Sequence, residues 1–391
     1  MIPYCQHQIR DEDREAVASV LGSARLTQGP MVAAFESGLC ESTGARRAVA
    51  VSSGTSALQI ALQALGVGPG DEVLVPSLTF LATANAVLLA GARPVFVDVD
   101  PATLALDPED LERHLSESTR GAIAVHYAGH VSDLDALRAR LGPDRFLVED
   151  ACHALGAVDH GRPVGSSSEA ACFSFHPAKH ITTGEGGAIV TRDDALADRC
   201  LRLREHGMER IPACFRGLGL PSRVQAEESG AWVYEMQSLS GNHRLPDFAS
   251  ALGLSQLSRI GENLAIRRRL AARYARLLAG EDRVEWLREL PQTESAWHLF
   301  PILLDVDRIA GGRAAVYTAL HAEGIGVQVH YIPIHLQPYY RVKLGTRFGD
   351  FPNTEAAYLR LLSLPMFPDL EDSAQDRVVE VLRGVLARLA R

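Results

Sequence analysis

The sequence predicts an α/β fold: a large N-terminal domain built on a mostly parallel sheet, followed by a smaller α/β domain. Three observations lead to this prediction. The chain has 391 residues, which is enough for two domains. Between residues 47 and 191, short apolar runs alternate with segments of helical periodicity, a pattern typical of parallel sheets covered by helices. Near Pro246 a long helical stretch begins, and we divide the chain into residues 1–258 and 259–391.

The segment before the first strand contains two predicted helices. Residues 10–22 carry acidic residues in the first turn and a glycine at the end, which are usual signals for the start and end of a helix. Residues 31–43 form the second helix. Between them lies Leu26-Thr27-Gln28-Gly29-Pro30, whose glycine and proline predict a loop.

Seven short apolar runs are predicted to form the strands of the large domain. They are residues 48–51, 72–75, 95–97, 122–125, 146–148, 171–175 and 188–190. A polar turn at residues 52–56 separates the first run from a helix at residues 57–65. In sheets of this kind the active site forms at the carboxyl ends of the strands, so the residues that follow the strands are the candidates for a functional site.

The remaining elements are predicted from the same patterns. Residues 208–230 contain several Gly and Pro residues and are predicted to form an irregular loop, either a functional flap or a mobile segment. Helices are predicted at residues 194–206, 246–278 and 313–323, strands at residues 297–305 and 326–331, and a last helix from about residue 372.

The composition excludes several classes of protein. The chain has 39 basic and 48 acidic residues, a net charge of −9 and no run of five Lys or Arg, so a general nucleic-acid surface is not expected. No stretch of about 18 apolar residues predicts a membrane span, and the N-terminus lacks the apolar segment of a signal peptide. The six cysteines follow neither zinc nor disulfide spacing, so we expect free thiols in the reducing cytoplasm.

One lysine, Lys179, lies in a loop between the predicted strands 171–175 and 188–190. The loop is too rich in Gly and Thr for a helix. A lone lysine is usually a solvated surface charge. An amine held between two buried strands instead loses hydration, which favours its neutral form, and a neutral amine can attack a carbonyl carbon. Lys179 is therefore the candidate nucleophile.

Two patterns near Lys179 do not predict a metal or a nucleotide loop. His176 and His180 are four residues apart, but Pro177 disfavours a helix and no acidic third ligand lies in the motif, so no metal site is predicted. The run Gly184-Glu185-Gly186-Gly187 matches neither glycine-rich nucleotide pattern, and it precedes a strand rather than a helix.

Polar or aromatic residues also follow three other predicted strands. Ser53-Gly54-Thr55-Ser56 joins a strand to a helix, where free N–H groups suit a phosphate, although an ordinary helix cap is the alternative. Phe80 follows the second strand, and from composition alone a core position is the better interpretation. Glu149 and Asp150 lie at the end of a buried strand, where carboxylates need partners.

Residues 173–187, Phe-Ser-Phe-His-Pro-Ala-Lys-His-Ile-Thr-Thr-Gly-Glu-Gly-Gly, resemble the pyridoxal-phosphate lysine motif of the DegT/DnrJ/EryC1/StrS family of sugar aminotransferases. The resemblance extends over effectively the whole chain, from about Ile2 to the C-terminal helix. It implies the aspartate-aminotransferase-like fold of pyridoxal-phosphate enzymes (fold type I). It also implies transamination with pyridoxal 5′-phosphate as cofactor, and a homodimer.

The resemblance assigns roles around the cofactor ring. Lys179 would bind the cofactor covalently and move protons during the reaction. Asp150 would keep the ring nitrogen protonated, so that the ring accepts electrons. Phe80 would stack on the ring, and His153 matches a position near the ring oxygen where Gln is also common.

The resemblance also implies how the cofactor phosphate and the second subunit take part. Gly54, Thr55 and Ser174 would contact the phosphate. Asn242, in a Gly-x-Asn-x-Arg segment, would reach the cofactor site of the partner subunit. Family members usually carry Tyr or Phe after this Asn, whereas this chain has His243, so we expect different packing beside Asn242.

Three segments, residues 232–237, 297–299 and 329–340, resemble one branch of the family, the transaminases that form UDP-4-amino-4,6-dideoxy-N-acetyl-β-L-altrosamine for pseudaminic acid. This resemblance implies L-glutamate as amino donor and a UDP-linked 4-keto sugar as acceptor. Arg25 could supply a cation for the diphosphate. The residues expected to face the sugar nucleotide are Tyr4, Arg25, Leu26, Thr27, His330 and Tyr331, with His335 in the same ring-rich segment.

Three alternatives remain open at this point. The substrate could be another dTDP- or UDP-linked keto sugar, aminated at carbon 4 or carbon 3. A sugar dehydratase on the same scaffold has His in place of the lysine, and Lys179 argues against it. A non-catalytic regulatory protein that binds the cofactor is a different class; intact Lys179 and Asp150 and the lack of a visible DNA-binding segment argue against it.

Overall fold

The computed structural model of the protein describes residues 1–219 and 230–391. Its largest sheet contains β1 (Arg47–Val51), β2 (Glu72–Pro76), β3 (Arg93–Val97), β4 (Thr119–Val125), β5 (Phe146–Asp150), β8 (Ala170–Ser174) and β9 (Gly187–Thr191). The strand order is β1-β9-β8-β5-β4-β2-β3. Strands β8, β5, β4, β2 and β3, in this order across the sheet, are parallel to one another, whereas β9 is antiparallel to both β1 and β8. The predicted α/β fold with a mostly parallel sheet is confirmed.

Helices cover both faces of this sheet because its strands are buried on both sides. The helices are α1 (Asp11–Leu21), α2 (Pro30–Thr43), α3 (Gly54–Ala64), α4 (Leu81–Leu89), α5 (Pro108–Arg113), α6 (Leu134–Leu141), α7 (Asp194–Arg204) and α8 (Asp247–Leu257). Alternate strand residues point to opposite faces. Val73 and Val75 therefore pack with α3, α4 and α7, while Leu74 packs with α5 and α6. Helices α2 and α8 cover the rest of the second face.

The C-terminal part has its own antiparallel sheet and core. The sheet has the order β12-β14-β15, formed by β12 (Val284–Trp286), β14 (Phe300–Leu304) and β15 (Leu361–Leu364). The helices of this part are α9 (Ile260–Leu278), α10 (Gly312–Ala322), α11 (Pro338–Leu344), α12 (Pro352–Arg360) and α13 (Asp372–Arg388). Its core joins α9, α10 and α13 to this sheet. The boundary between residues 258 and 259 falls in the turn between α8 and α9 and stays a prediction.

Short strands and the chain start complete the described architecture. The pair β6 (Val158–Asp159) and β7 (Arg162–Pro163) is extended by β13 (Thr293–Glu294), and β10 (Met208–Glu209) pairs with β11 (Glu235–Met236). Ile2 is bonded to the C-terminal part through Gly324 O and Gly326 N (2.9 and 2.7 Å). No helix within residues 1–219 and 230–391 is long and apolar enough to cross a membrane.

The structure differs from the predicted elements at four places. Helix 246–278 is two helices that meet at Ser258 and Arg259, where the Arg259 guanidinium bonds to Asp13 of α1. Helix α3 begins at Gly54 rather than at residue 57, because the Ser53 side chain caps it. Residues 326–331 form no strand, only an isolated bridge between Gln328 and Ser363. The predicted loop 208–230 contains β10, and its residues 220–229 lie outside the described part of the chain.

Asp13 connects the first helix to the turn between α8 and α9. Its buried carboxylate accepts hydrogen bonds from the Arg10 N–H (2.9 Å), Ser255 Oγ (2.7 Å), Gln256 Nε2 (3.1 Å) and the Arg259 guanidinium. Burial alone would raise the pKa of Asp13, but the bonds to Arg259, Arg10 and Ser255 hold that pKa below its usual range. The carboxylate is therefore a charged anchor that fixes α1 against α8 and α9.

Replacing Asp13→Ala is expected to destabilise the protein by about 3 kcal/mol, because the substitution leaves the Arg259 charge buried without its partner. The measurement is the thermal midpoint at pH 7, with Asp11→Ala as control, since the Asp11 side chain is 88% exposed. A lowered folded-state pKa means that the stabilisation is present above the ordinary carboxyl pKa and is lost below it. The difference between wild type and variant should therefore shrink as the pH falls below about 4. Equal midpoints for the two variants at pH 7 would contradict this role.

Candidate active site

A cavity of about 420 Å³ lies at the carboxyl ends of the parallel strands. Strands β4, β5 and β8 reach it with their last residues, Val125, Asp150 and Ser174, and the segment after β2 contributes Thr79 and Phe80. The opposite wall comes from the C-terminal part and the chain start: Tyr4, Cys5, His298, Leu299, His330 and Tyr331. The cavity thus lies where the general rule for such sheets predicts a site.

Lys179 enters the cavity from the connection between β8 and β9. Ser174 and Gly187 are paired across these strands, so the connection begins and ends at the same edge of the sheet. A turn bond from the Lys179 N–H to His176 O (2.8 Å) holds the backbone. The side chain is half-buried. Desolvation lowers the pKa of Lys179, opposed by the nearby Cys152 and Asp150. Burial therefore shifts the balance toward the neutral amine that a nucleophile requires.

Asp150 lies on the floor of the cavity and is bound by neutral donors. Its Oδ2 accepts from Thr83 Oγ1 at 2.7 Å, and Oδ1 lies 3.3 Å from the Cys152 N–H. Thr83 is in turn 2.9 Å from the Thr79 hydroxyl. These bonds orient the carboxylate while leaving it room for a further donor from a ligand.

The start of helix α3 forms a narrow, glycine-lined corner of the cavity. Ser53 caps the helix by accepting from the Ser56 N–H at 3.1 Å, so the N–H groups of Gly54 and Thr55 remain unpaired within the helix. A Cβ atom added to Gly54 would lie 2.9 Å from Ser174 Cβ. Glycine therefore lets the start of α3 pack closely against the end of β8, and the free N–H groups there suit a phosphate, as at other helix N-termini.

Two buried imidazoles and a tyrosine form the polar side of the cavity. His153 Nε2 is 3.0 Å from Tyr331 OH, and the His153 and His298 ring centroids are 4.4 Å apart. Burial raises the pKa of Tyr331 and lowers that of both histidines, so all three side chains are neutral. His153 Nδ1 is buried without a partner in the described structure.

The structure brings together ten of the predicted site residues and separates five others from the cavity of this chain. Those that line it are Tyr4, Gly54, Thr55, Phe80, Asp150, His153, Ser174, Lys179, His330 and Tyr331. Arg25, Leu26 and Thr27 are exposed in the loop before α2. Asn242 is also exposed, and its neighbour His243 lies 3.1 Å from Ser56 Oγ at the start of α3. His335 is fully buried and does not line the cavity.

The sequence interpretation missed His298, Cys5 and Cys152. His298 belongs to the Trp-His-Leu run, which we interpreted only as a resemblance to one branch of the family. Its backbone is held by the buried Arg267, whose Nη1 donates to Trp297 O and His298 O at 3.2 and 3.1 Å. Trp297 adopts a φ of 46°, a strained conformation that often accompanies functional sites. The available signal was a histidine beside an aromatic residue just before a buried strand.

The comparisons with known proteins agree with this geometry. A model of the DegT/DnrJ/EryC1/StrS aminotransferase family matches residues 7–383. The chain belongs to this family. It is 37% identical over 387 residues to the spore coat polysaccharide biosynthesis protein SpsC of Bacillus subtilis (strain 168), across 98% of this chain and 97% of that protein.

Solved structures extend the likeness to the whole fold. The pyridoxal-phosphate form of Spr1654 from Streptococcus pneumoniae matches with a TM-score of 0.90 and 28% identity over 100% of both chains. Helicobacter pylori PseC, an aminotransferase involved in the biosynthesis of pseudoaminic acid, matches with a TM-score of 0.88 and 29% identity over 99% of this chain and 100% of PseC. The predictions of fold type I, of pyridoxal phosphate and of a sugar aminotransferase are confirmed.

The residues of the cavity fit pyridoxal phosphate. The free N–H groups at the start of α3 suit its phosphate, and the unpartnered His153 Nδ1 is available for a polar group of the cofactor. Asp150 can accept from a protonated ring nitrogen, and Lys179 supplies the amine. Within the described residues, no group of three or more His, Cys, Asp or Glu side chains could hold a metal ion.

The chain has two lysines, Lys179 and Lys343, which makes the attachment site directly testable. Lys179→Ala should abolish the visible absorbance of the purified protein, because no other amine lines the cavity among the described residues. Lys343→Ala, on the exposed face of α11, is the matched control and should keep the band. Borohydride reduction followed by peptide mass spectrometry should place the cofactor on Lys179. A reduced adduct on Lys343 would refute the assignment.

Proposed function

We propose that this aminotransferase transfers an amino group from L-glutamate to UDP-4-keto-6-deoxy-N-acetyl-β-L-altrosamine, forming the 4-amino sugar. The observation that carries the proposal is the cavity itself, where an amine of lowered pKa and a carboxylate face neutral aromatic and imidazole side chains. The choice of this sugar is supported by the resemblance of three segments to one branch of the family and by the likeness to PseC.

The proposed chemistry assigns proton transfer to Lys179. Pyridoxal phosphate, when bound, draws electrons from the carbon that carries the transferred nitrogen. The Lys179 amine, released when the donor binds, takes the proton that leaves this carbon and later returns it. Its lowered pKa suits this role, because a lower pKa makes the neutral form, which accepts a proton, easier to reach. Asp150 holds the ring nitrogen, and Gly54, Thr55 and Ser174 hold the phosphate.

The wall opposite Lys179 is suited to sugar hydroxyl groups. Burial lowers the pKa of His330 to about 4 and raises that of Tyr4 to about 12, so both side chains are neutral at physiological pH. His330 Nδ1 is bonded to Ser363 Oγ at 2.9 Å, which leaves Nε2 for a ligand. Neutral rings that both donate and accept hydrogen bonds, beside apolar ring faces, are typical of carbohydrate sites.

A nucleotide diphosphate needs cationic partners that this cavity lacks. Among the described lining residues, Lys179 alone has an ammonium or guanidinium group. Arg25 is exposed on the same chain but lies outside its cavity. We therefore place Arg25, Leu26, Thr27 and Asn242 at the site of a second copy, in a dimer with two-fold symmetry. Such a homodimer would carry two equal sites, each built from both chains.

Two further assignments remain proposals. We place the protein in the cytoplasm, where the six free thiols of the structure would stay reduced. We divide it into residues 1–258, which carry Lys179 and Asp150, and residues 259–391.

The alternative substrate is another dTDP- or UDP-linked keto sugar, aminated at carbon 4 or 3. The 37% identity to SpsC, a spore coat polysaccharide protein, keeps this alternative open.

A panel of UDP- and dTDP-linked 3-keto and 4-keto sugars, with L-glutamate as donor, should separate these substrates. We expect the highest kcat/KM for the UDP-linked 4-keto altrosamine precursor, because the segments around His330 resemble that branch. Products are identified by NMR, and Lys179→Ala is the inactive control. Faster turnover of a dTDP-linked 3-keto sugar would overturn the substrate assignment and leave the aminotransferase assignment intact.

Complementation between two inactive variants should test the second copy. Lys179→Ala and Asn242→Ala homodimers are each expected to have low activity. If Asn242 serves the neighbouring site, mixed dimers carry one intact site, and exchange at equal concentrations should restore roughly a quarter of wild-type activity. No recovery, with mixed dimers confirmed by native mass spectrometry, would show that Asn242 does not serve the neighbouring site.

A further inference from the structure

A group of buried polar side chains lies beside the cavity, between the large sheet and the C-terminal part. Ser77 follows β2, His335 precedes α11, and Glu355 is in α12; their residues are 0, 0 and 4% exposed. Ser77 Oγ is 2.5 Å from His335 Nδ1, and His335 Nε2 is 3.0 Å from Glu355 Oε1. We refer to these three residues as the Ser77–His335–Glu355 network.

The direction of each hydrogen bond in the network follows from its surroundings. Glu355 Oε1 also accepts from the Gly349 N–H at 2.7 Å, so it acts as a carboxylate acceptor. Burial lowers the pKa of His335, although Glu355 opposes this shift, and the ring is neutral. Nε2–H therefore donates to Glu355, and Nδ1 accepts from the Ser77 hydroxyl. Each donor in the Ser77–His335–Glu355 network thus has an acceptor, and both nitrogens of the His335 ring are hydrogen-bonded.

The arrangement resembles the serine, histidine and carboxylate of a hydrolase, but it cannot work as one. Ser77 is fully inaccessible, and none of the three residues lines the cavity. A nucleophile must reach its substrate. The network is therefore a connection between two parts of the protein.

Ser77 and His335, the two residues that join the segments, are each close in sequence to a residue that lines the cavity. Ser77 is three residues before Phe80, and His335 is four residues after Tyr331. A backbone bond from the Ile334 N–H to Ser77 O (2.9 Å) runs beside the side-chain bonds. The Phe80 and Tyr331 rings are neighbours, with centroids 5.6 Å apart and planes tilted by 52°, and Tyr331 also bonds to His153.

We propose that Ser77 and His335 are positioning residues, which hold Phe80 and Tyr331 at the separation that the cofactor ring requires. Phe80 comes from the large sheet and Tyr331 from the C-terminal part, and the network joins the two segments within four residues of each ring. The network therefore sets the width of the cavity without contacting the cofactor. This proposal rests on the predicted position of the cofactor ring beside Phe80 and His153.

The test compares two buried hydroxyl deletions. Ser77→Ala removes the donor to His335. Thr354→Val is the matched control, because Thr354 is 0% exposed, is adjacent to Glu355, and has a buried Oγ1 without a partner in the described structure. The apo form of each variant is titrated with pyridoxal phosphate by visible absorbance, and its thermal midpoint is measured.

We expect Ser77→Ala to raise the Kd for pyridoxal phosphate about tenfold and to shift the visible band, while Thr354→Val stays within about twofold of wild type. A purely structural network would lower the thermal midpoint of Ser77→Ala without this difference in Kd. Equal Kd values and band positions in the two variants would therefore overturn the proposal. A flat titration of the wild type would instead contradict the cofactor assignment.

If Ser77→Ala does not fold, His335→Gln takes its place. The glutamine can still donate to Glu355 but offers Ser77 no imidazole nitrogen, so the same rise in Kd is expected. A Kd equal to that of Thr354→Val would again overturn the proposal.

Discussion

The site depends on keeping an amine and a carboxylate in one cavity without the two forming a salt bridge. Asp150 meets this requirement because Thr83 and the Cys152 N–H bind its two oxygens. Lys179 meets it because desolvation lowers its pKa, which makes the ammonium form less favourable. A bare ion pair would stabilise both charged forms and remove the nucleophile. The sheet supplies the arrangement, since β5 and β8 are parallel neighbours that end at the same edge.

The large sheet could be predicted from the sequence because its strands are short apolar runs buried on both faces. The prediction was wrong where side chains from distant segments decide the backbone. Residues 326–331 look like a strand, yet the ring of His330 binds Ser363 and its carbonyl accepts from Tyr127, so the segment forms no ladder. The continuous helix predicted from residue 246 is divided where Arg259 reaches Asp13. No local pattern contains these partners.

The same distinction separates the site residues. Lys179, Asp150 and Gly54 could be placed at the cavity because each lies at the end of a strand or within five residues after it, in a motif of contiguous residues. His298 and His335 could not be placed, because their positions follow from packing between segments far apart in the chain. His335 illustrates the limit: sequence reasoning placed it with His330 and Tyr331 among the sugar contacts, whereas the structure binds it to Ser77 and Glu355. Arg25 and Asn242 pose another limit, since a single chain does not bring them to the cavity.

The charge state of Lys179 and the charge states of the histidines that line the cavity depend on one another. The imidazoles of His153, His298 and His330 surround Lys179, and each would raise the cost of an ammonium if it were itself charged. Burial prevents that charge by lowering their pKa values, so the wall can carry polar groups without repelling the lysine. The same neutrality deprives the cavity of cations for an anionic substrate. We therefore propose that the charge for a diphosphate comes from a second copy of the chain, which would supply it in a fixed geometry. Burial of the site thus favours the chemistry proposed for Lys179 and also explains why the cavity lacks the cations that a nucleotide-linked substrate would require.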